Sequence, residues 1–241
     1  MNLRAGASTD VGLRRQANED RYAMAPDIGL YLVADGMGGH RAGQVASEMA
    51  AEAAIRAVEA LQGASVSPAE KLRHAVACAN REIHNAAIQS EALRGMGTTL
   101  VSILVTAERL ALAHVGDSRA YLVRNSKIRC LTDDHSVVGE LLRKQQITEA
   151  AAREHPHRHV LTRALGVREE TLPDLAELTP QPGDAFLMCS DGLIAHLSDS
   201  EILQVMLAKD DPQAVCEVLV DVANKRGGVD NTTVLVVRYE K

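Results

Sequence analysis

Aromatic residues are scarce in this sequence of 241 residues, which has no Trp, one Phe and four Tyr. Proteins that bind single-stranded nucleic acid usually stack the bases on aromatic side chains. The formal net charge of -6 also disfavours a polyanionic partner. We therefore expect no nucleic-acid partner and no acidic membrane partner, and a core built from aliphatic residues and alanine.

Closely spaced cysteines and long apolar runs are lacking as well. The four cysteines show no C-x-x-C spacing, which argues against a zinc knuckle or a disulfide framework and predicts small buried apolar residues. The N-terminus has no apolar segment of the signal-peptide type, and no apolar run approaches the roughly 18 residues of a membrane span. These features predict a cytoplasmic protein.

The first half of the chain alternates between blocks of strands and blocks of helices. The apolar run 29–35 ends in Asp35-Gly36 and predicts a buried strand that delivers an aspartate to a turn. Residues 42–61 and 68–90 have apolar positions at helical spacing and predict two long helices in succession. A β-rich region then predicts an antiparallel meander with strands over 98–106, 110–115, 120–123 and 127–131.

The second half begins with a polar segment that Pro156 interrupts. This segment predicts short helices in a mobile insertion, a flap over about residues 137–158. Further on, the sequence predicts strands over 185–189 and 232–239, a helix that starts at a Ser198/Glu201 capping box, and a helix over 211–225. Because strands and helices come in blocks, we expect one α+β domain over residues 1–241, with antiparallel sheets inside and helices outside.

Five aspartates lie at or near the ends of predicted buried strands. Carboxylates that converge on one point repel each other unless a cation neutralises them. Ligation by oxygen alone favours Mg²⁺ or Mn²⁺ over zinc or copper. A single Asp-Gly is more often an ordinary turn, and the sequence alone does not show that the five meet. The five are Asp20, Asp35, Asp117, Asp191 and Asp230.

Eight motifs in order along the chain carry a family resemblance. They resemble the motifs of the metal-dependent protein phosphatases, the type 2C or PPM family, in its bacterial branch. The motifs are Thr9-Asp10-Val11-Gly12 with Arg15 and Asn18-Glu19-Asp20, then Asp35-Gly36-Met37-Gly38-Gly39-His40, Gly97-Thr98-Thr99, Gly116-Asp117-Ser118-Arg119-Ala120-Tyr121, Asp134-His135-Ser136, Thr162-Arg163-Ala164-Leu165-Gly166, Ser190-Asp191-Gly192 and Asp230-Asn231-Thr232.

The resemblance implies a four-layer α-β-β-α sandwich, with two central antiparallel sheets flanked by helix pairs. It also implies two tightly bound Mn²⁺ or Mg²⁺ ions that activate a water for direct attack on phosphorus. Asp35 would bridge them, Asp20 and the Gly36 carbonyl would complete one site, and Asp191 and Asp230 would complete the other. Asp117 would support a third, weaker ion together with Asp191.

The resemblance further implies that Arg15 grips the substrate phosphate and that Glu19 holds a metal-bound water. Eukaryotic members have a histidine proposed as proton donor two residues after the bridging aspartate, and Met37 occupies that position here. His40 could substitute for it. The histidines of the flap, His155, His157 and His159, have no role assigned beyond a solvated or substrate-edge one.

Alternative functions remain open at this stage. No cysteine is followed by an arginine at the C-x-x-x-x-x-R spacing, which argues against a cysteine-based phosphatase. A phosphatase of a small phosphorylated metabolite and an inactive phosphoprotein-binding module are the two rivals. Because every expected ligand is present, we favour an enzyme that acts on phosphorylated proteins. A Ser/Thr kinase and its targets would be its partners, and we expect a monomer.

Overall fold

The computed structural model describes residues 2–38 and 42–240. The strands of these two ranges are β1 Asn2–Asp10, β2 Asp20–Ala25, β3 Leu30–Met37, β4 Gly97–Thr98, β5 Leu100–Val105, β6 Leu110–Val115, β7 Arg119–Arg124, β8 Lys127–Cys130, β9 Asp174–Leu178, β10 Ala185–Cys189 and β11 Thr232–Glu240. The α-helices are α1 Ala42–Ala60, α2 Pro68–Gln89, α3 Val137–Arg143, α4 Glu149–Arg153, α5 Asp191–Ile194, α6 Asp199–Ala208 and α7 Pro212–Lys225.

The strands form two antiparallel sheets. The first sheet has the order β1-β11-β10-β7-β8, and the second has the order β2-β3-β5-β6-β9, with the short β4 paired to β3. The central strands β5, β6 and β10 are buried at every position, which is why they are apolar apart from Ser102 and His114.

Alternate residues of the central strands enter different cores. In β3, Leu30 and Leu32 pack in the core that contains α1 and α2, whereas Tyr31 and Val33 pack between the two sheets. In β11, Val234 and Val236 pack in the core that contains α6 and α7, whereas Leu235 and Val237 pack between the two sheets. The layers therefore follow the order α-β-β-α, which confirms the predicted fold class.

The predicted meander is wrong in its pairing. Strands β5 and β6 form a hairpin of the second sheet, while β7 and β8 form a hairpin of the first. The chain crosses between sheets at Gly116, which has a φ of 106°. A Cβ at Gly116 would lie 2.5 Å from Thr99 Cγ2, so the crossing needs glycine there. The sequences of the two hairpins do not indicate which sheet each one joins.

Three strands had no counterpart in the sequence prediction: β1, β2 and β9. Each lies at the edge of its sheet and carries many polar or half-exposed residues, so its apolar alternation is weak. The capping box at Ser198 and Glu201 is confirmed. None of the helices within the described ranges combines the length and apolar character needed to cross a bilayer.

Candidate active site

Strand ends place the predicted aspartates at one end of the two sheets. In the second sheet, β2 begins at Asp20, which lies directly opposite Asp35 of β3. In the first sheet, β10 ends at Cys189 shortly before Asp191, and β11 begins shortly after Asp230. Because β10 and β11 are antiparallel, the end of one and the start of the other lie at the same edge.

A hydrogen bond between the sheets joins these two groups. Ser190 Oγ donates to Asp20 Oδ2 over 2.7 Å, although the two residues are 170 positions apart. The Thr233 N–H of β11 donates to the same serine oxygen over 3.0 Å. The turn that carries Asp117 lies at this edge too, because β7 starts at Arg119 and pairs there with the end of β10.

The carboxylates act on one another. Burial raises the pKa of Asp35 well above its usual range, and repulsion from four neighbouring carboxylates adds to this effect. Burial likewise raises the pKa of Asp191, and repulsion from three of the same carboxylates contributes. The structure therefore gathers into one cluster the aspartates that the sequence singled out, namely Asp20, Asp35, Asp117, Asp191 and Asp230.

Two oxygens of this cluster have unmet bonding capacity. Asp20 Oδ1 and Asp191 Oδ1 are buried and accept no hydrogen bond within the described part of the chain. Burial raises the pKa of Asp20 to about 6 and that of Asp117 to about 7. Buried carboxylate oxygens without donors are suited to hard divalent cations, so these residues fit Mg²⁺ or Mn²⁺.

The raised pKa values predict how pH affects the metal-free protein. A carboxyl whose pKa is raised by folding stabilises the fold at low pH, and this stability is lost as pH rises from about 4 through the raised value. Asn cannot ionise, so metal-free Asp35→Asn should melt at a higher temperature than the parent protein at about pH 8, with the gap narrowing toward about pH 5. Calorimetry in EDTA measures the melting temperatures of both proteins. The two proteins have the same histidines, so the contribution of the histidines cancels in the difference. Equal melting temperatures at the higher pH would contradict carboxylate crowding.

Two neighbouring threonines hold the backbone of Asp35. The Asp35 N–H donates to Thr99 Oγ1 over 2.9 Å, and the Asp35 carbonyl accepts from the Thr99 N–H and from Thr98 Oγ1, each over 2.9 Å. Thr99 Oγ1 also shares a hydrogen bond of 2.7 Å with Ser118 Oγ. The threonine pair therefore links Asp35 to the turn that carries Asp117.

Asn231 fixes the loop between β1 and β2. Its Nδ2 donates to the carbonyls of Val11 and Ala17 over 2.9 and 3.0 Å, and its Oδ1 accepts from the Glu19 N–H over 2.9 Å. A Cβ at Gly12 would lie 2.4 Å from the Asp230 carbonyl oxygen, so the loop lies directly against the cluster.

Arg15 projects from this loop toward the carboxylates. Its Nη2 donates to Asp230 Oδ2 over 2.6 Å, and about half of its side chain stays exposed. The guanidinium is thus attached to the cluster yet open to an incoming anion.

Glu19 and Gly36, two further predicted site residues, are neighbours in the structure. The Glu19 carbonyl accepts from Ser47 Oγ over 2.6 Å and from the Gly36 N–H over 3.1 Å, which brings Glu19 and Gly36 next to each other. Met37 is the last residue of β3. His40 lies outside the described residues.

The end of the flap lies beside the cluster. Partial burial lowers the pKa of His159, and the positive charges of Arg158 and Arg15 lower it further. The negative charge of Asp230 raises it. The base of the flap is closed, because the Val137 N–H donates to the Val160 carbonyl over 2.9 Å.

Three residues that hold the site together have no role that the sequence predicts: Ser190, Thr99 and Asn231. Each lies inside one of the eight motifs, and this position is the feature of the sequence that could have indicated a role in the site. Their contacts reach across 170, 64 and up to 220 positions, so no local pattern reveals them.

The chain is similar to known phosphatases over nearly its whole length. The family model described as protein phosphatase 2C matches residues 13–224. The serine/threonine phosphatase stp of Listeria monocytogenes is 39% identical over 245 residues, which cover 99% of this chain and 96% of that protein. The crystal structure of the Mycobacterium tuberculosis serine/threonine phosphatase PstP/Ppp matches with a TM-score of 0.91 and 37% identity, covering 99% of both chains.

A second solved structure is informative about metal. It is the catalytic domain of the serine/threonine protein phosphatase PstP in complex with two manganese ions. It matches with a TM-score of 0.88 and 36% identity over 99% of both chains.

Proposed function

Because the chain belongs to the protein phosphatase 2C family of metal-dependent protein phosphatases, we propose that it hydrolyses phosphoserine and phosphothreonine in proteins at a pair of divalent ions held by its aspartate cluster. The observation that carries this proposal is the convergence of five carboxylates, two of which have a buried oxygen that no donor of residues 2–38 and 42–240 reaches. The two manganese ions of the related PstP domain support it.

The residues divide between two ions as follows in this proposal. Asp35 is repelled by the other four carboxylates and is the candidate bridge. Asp20 and the Gly36 carbonyl hold one ion, and Asp191 and Asp230 hold the other. When bound, such ions supply positive charge next to the phosphate and lower the pKa of water toward neutrality.

The remaining residues act on the substrate and on the water. Arg15 is placed to exchange its ion pair with Asp230 for a charge-assisted bond to the phosphate oxygens. Glu19 orients the attacking water. Met37 cannot donate a proton, and we propose His40 as the donor to the leaving alkoxide.

The direct test compares phosphoserine and phosphothreonine peptides with p-nitrophenyl phosphate and small phosphorylated metabolites, each with Mn²⁺ and with excess EDTA. The proposal expects turnover of the phosphopeptides that disappears in EDTA and returns when Mn²⁺ is added. Efficient hydrolysis of a metabolite with little turnover of peptides would instead favour a metabolite phosphatase. Peptide binding without turnover under any metal condition would favour a binding module.

We propose a third, weaker ion at Asp117, shared with Asp191. Burial and the nearby Asp134 raise the pKa of Asp117, and repulsion from Asp117 contributes to the raised pKa of Asp191. Ions with few protein ligands keep several waters and bind weakly. Asp117→Ala should therefore abolish a weak step in calorimetric Mn²⁺ titration, keep the tight steps and slow peptide turnover. A variant with full activity and an intact weak step would exclude this site.

The flap is proposed to set substrate preference from its position beside the cluster. Loops on a rigid scaffold commonly determine specificity. Arg158→Ala, at the end near the site, should change kcat/KM on phosphopeptides more than on p-nitrophenyl phosphate. Arg129→Ala, at an exposed arginine of β8 outside the flap, is the matched control and should change neither. Equal effects of Arg158→Ala on both substrates would make the segment structural.

The cellular setting is part of the same proposal. A Ser/Thr kinase and its targets would supply the phosphorylated proteins, and the enzyme would work in the cytoplasm as a monomer with one catalytic domain. Phosphoproteomics of a strain that lacks the protein would identify the substrates.

A further inference from the structure

One histidine bonds to both backbone groups of Gly116, the residue before Asp117. The Gly116 N–H donates to His135 Nδ1 over 3.0 Å, and the His135 backbone N–H donates to the Gly116 carbonyl over 2.8 Å. The Gly116 carbonyl also lies 3.1 Å from His114 Nε2. Gly116 has a left-handed φ of 106°, and the direction of the next residue depends on this conformation.

The hydrogen bonds fix the tautomer of His135. The Gly116 N–H can only donate, so His135 Nδ1 must carry a lone pair and the proton of the neutral ring lies on Nε2. That atom is 3.1 Å from Asp174 Oδ2 and donates to it. Asp174 Oδ1 in turn accepts from Arg163 Nη1 over 2.6 Å. A chain of hydrogen bonds therefore runs from the half-exposed Asp174 to the buried turn.

The same residues could be mistaken for a metal site. One ligand atom from each of His114, His135 and Asp174 lies within 4.8 Å of the others. A metal on His135 Nε2 would have to displace its proton while Nδ1 still accepted the Gly116 N–H, and a neutral imidazole cannot provide both lone pairs. The bonding pattern is that of a support for the turn.

We propose that His135 is a positioning residue for Asp117: by bonding to the N–H and to the carbonyl of Gly116, it sets the direction in which the Asp117 carboxylate points. The inference rests on the proposed third ion at Asp117. The other side of the turn is held by the bond between Ser118 and Thr99. His135 is 2% exposed and so acts from beneath the turn, away from substrate.

Two substitutions at position 135 test the hydrogen bonds of the two ring nitrogens separately. Asn places an acceptor oxygen where Nδ1 lies, whereas Gln places an amide where Nε2 lies. His135→Asn should therefore keep the Gly116 bond and lose the Asp174 bond, and His135→Gln should do the reverse. Amide hydrogen exchange of Gly116 in the metal-free protein and calorimetric titration with Mn²⁺ are the two readouts.

The expected result is an asymmetry between these variants. His135→Gln should lose protection of the Gly116 amide and weaken the weak Mn²⁺ step by about five- to tenfold, as expected for the loss of one buried hydrogen bond, with the tight steps unchanged. His135→Asn should stay within about twofold of the parent protein in both readouts. Equal behaviour of the two folded variants would overturn the inference.

A third variant covers the case in which position 135 tolerates no change. Asp174→Ala removes the acceptor that keeps the His135 proton on Nε2. The ring can then carry this proton on Nδ1, where it no longer accepts from Gly116, so Gly116 exchange should accelerate. Asparagine at position 135 has no such tautomer. Glu177→Ala on the same strand is its control, and equal exchange in the two variants would overturn the inference. Asp117→Ala tests the third ion separately, because a weak Mn²⁺ step that persists in this variant would refute the ion site. The Gly116 exchange rates would still show whether His135 holds the backbone of Gly116.

Discussion

Replacing Asp191 by Asn will reduce Mn²⁺-dependent turnover by about a hundredfold or more and leave the fold intact. Loss of an outer-shell partner of a metal site already costs about 10- to 100-fold in affinity or activity, and a direct ligand should cost at least as much. The change preserves the shape of the side chain and removes the charge that would hold the ion. Steady-state kinetics on a phosphothreonine peptide over a range of Mn²⁺ concentrations measures the loss.

Asp221→Asn is the matched control for this experiment. Asp221 is an exposed aspartate of α7 that pairs with Lys225 through a contact of 2.6 Å, and its substitution should leave turnover unchanged. Circular dichroism and thermal melting would show that both variants fold. Near-normal activity of Asp191→Asn at saturating Mn²⁺ would remove the two-ion mechanism from consideration.

Arg15→Ala should lower kcat/KM on phosphopeptides by roughly ten- to a hundredfold. Hydrogen bonds to a charged group contribute about 1.5 to 3 kcal/mol, and about 1.4 kcal/mol corresponds to a factor of ten. In the structure the guanidinium is bonded to Asp230 and half exposed, a position from which it can reach a phosphate at the cluster.

Two further variants show whether the geometry of Arg15 matters. Arg14→Ala removes the neighbouring charge and should have little effect. Arg15→Lys keeps the charge without the planar fork and should recover only part of the loss. A large effect at Arg14 with none at Arg15 would mean that the phosphate-binding arginine had been assigned one residue away from its true position.

The sequence predicts the local elements of this protein well where a clear hydrophobic or capping pattern marks the element. The buried run 29–35, the two long helices and the capping box at Ser198 lie where their patterns place them. The predicted turn at Asp35-Gly36 is wrong, because β3 continues to Met37 and pairs there with β4. The edge strands β1, β2 and β9 escape prediction because solvent on one side weakens their alternation.

Convergence of the site is not visible in any local pattern. The contact of Asp20 with Ser190 joins opposite ends of the chain, and it depends on two sheets packing face to face. Periodicity reports which residues share a face of one element, and it does not report which elements meet. The resemblance supplied the ligand set, and the structure adds what supports it: Thr99 beneath Asp35, Asn231 behind the Arg15 loop and His135 beneath the Asp117 turn.

The most direct measurement is a crystal structure of the protein grown with Mn²⁺, with anomalous diffraction collected at the manganese absorption edge. We expect two strong anomalous peaks within ligand distance of the Asp35 carboxylate, one shared with Asp20 and the other with Asp191 and Asp230. Both peaks should vanish in crystals soaked in EDTA. Peaks only at His114, His135 and Asp174, or crystals of active enzyme with no manganese at the aspartates, would contradict a two-ion site at the aspartate cluster.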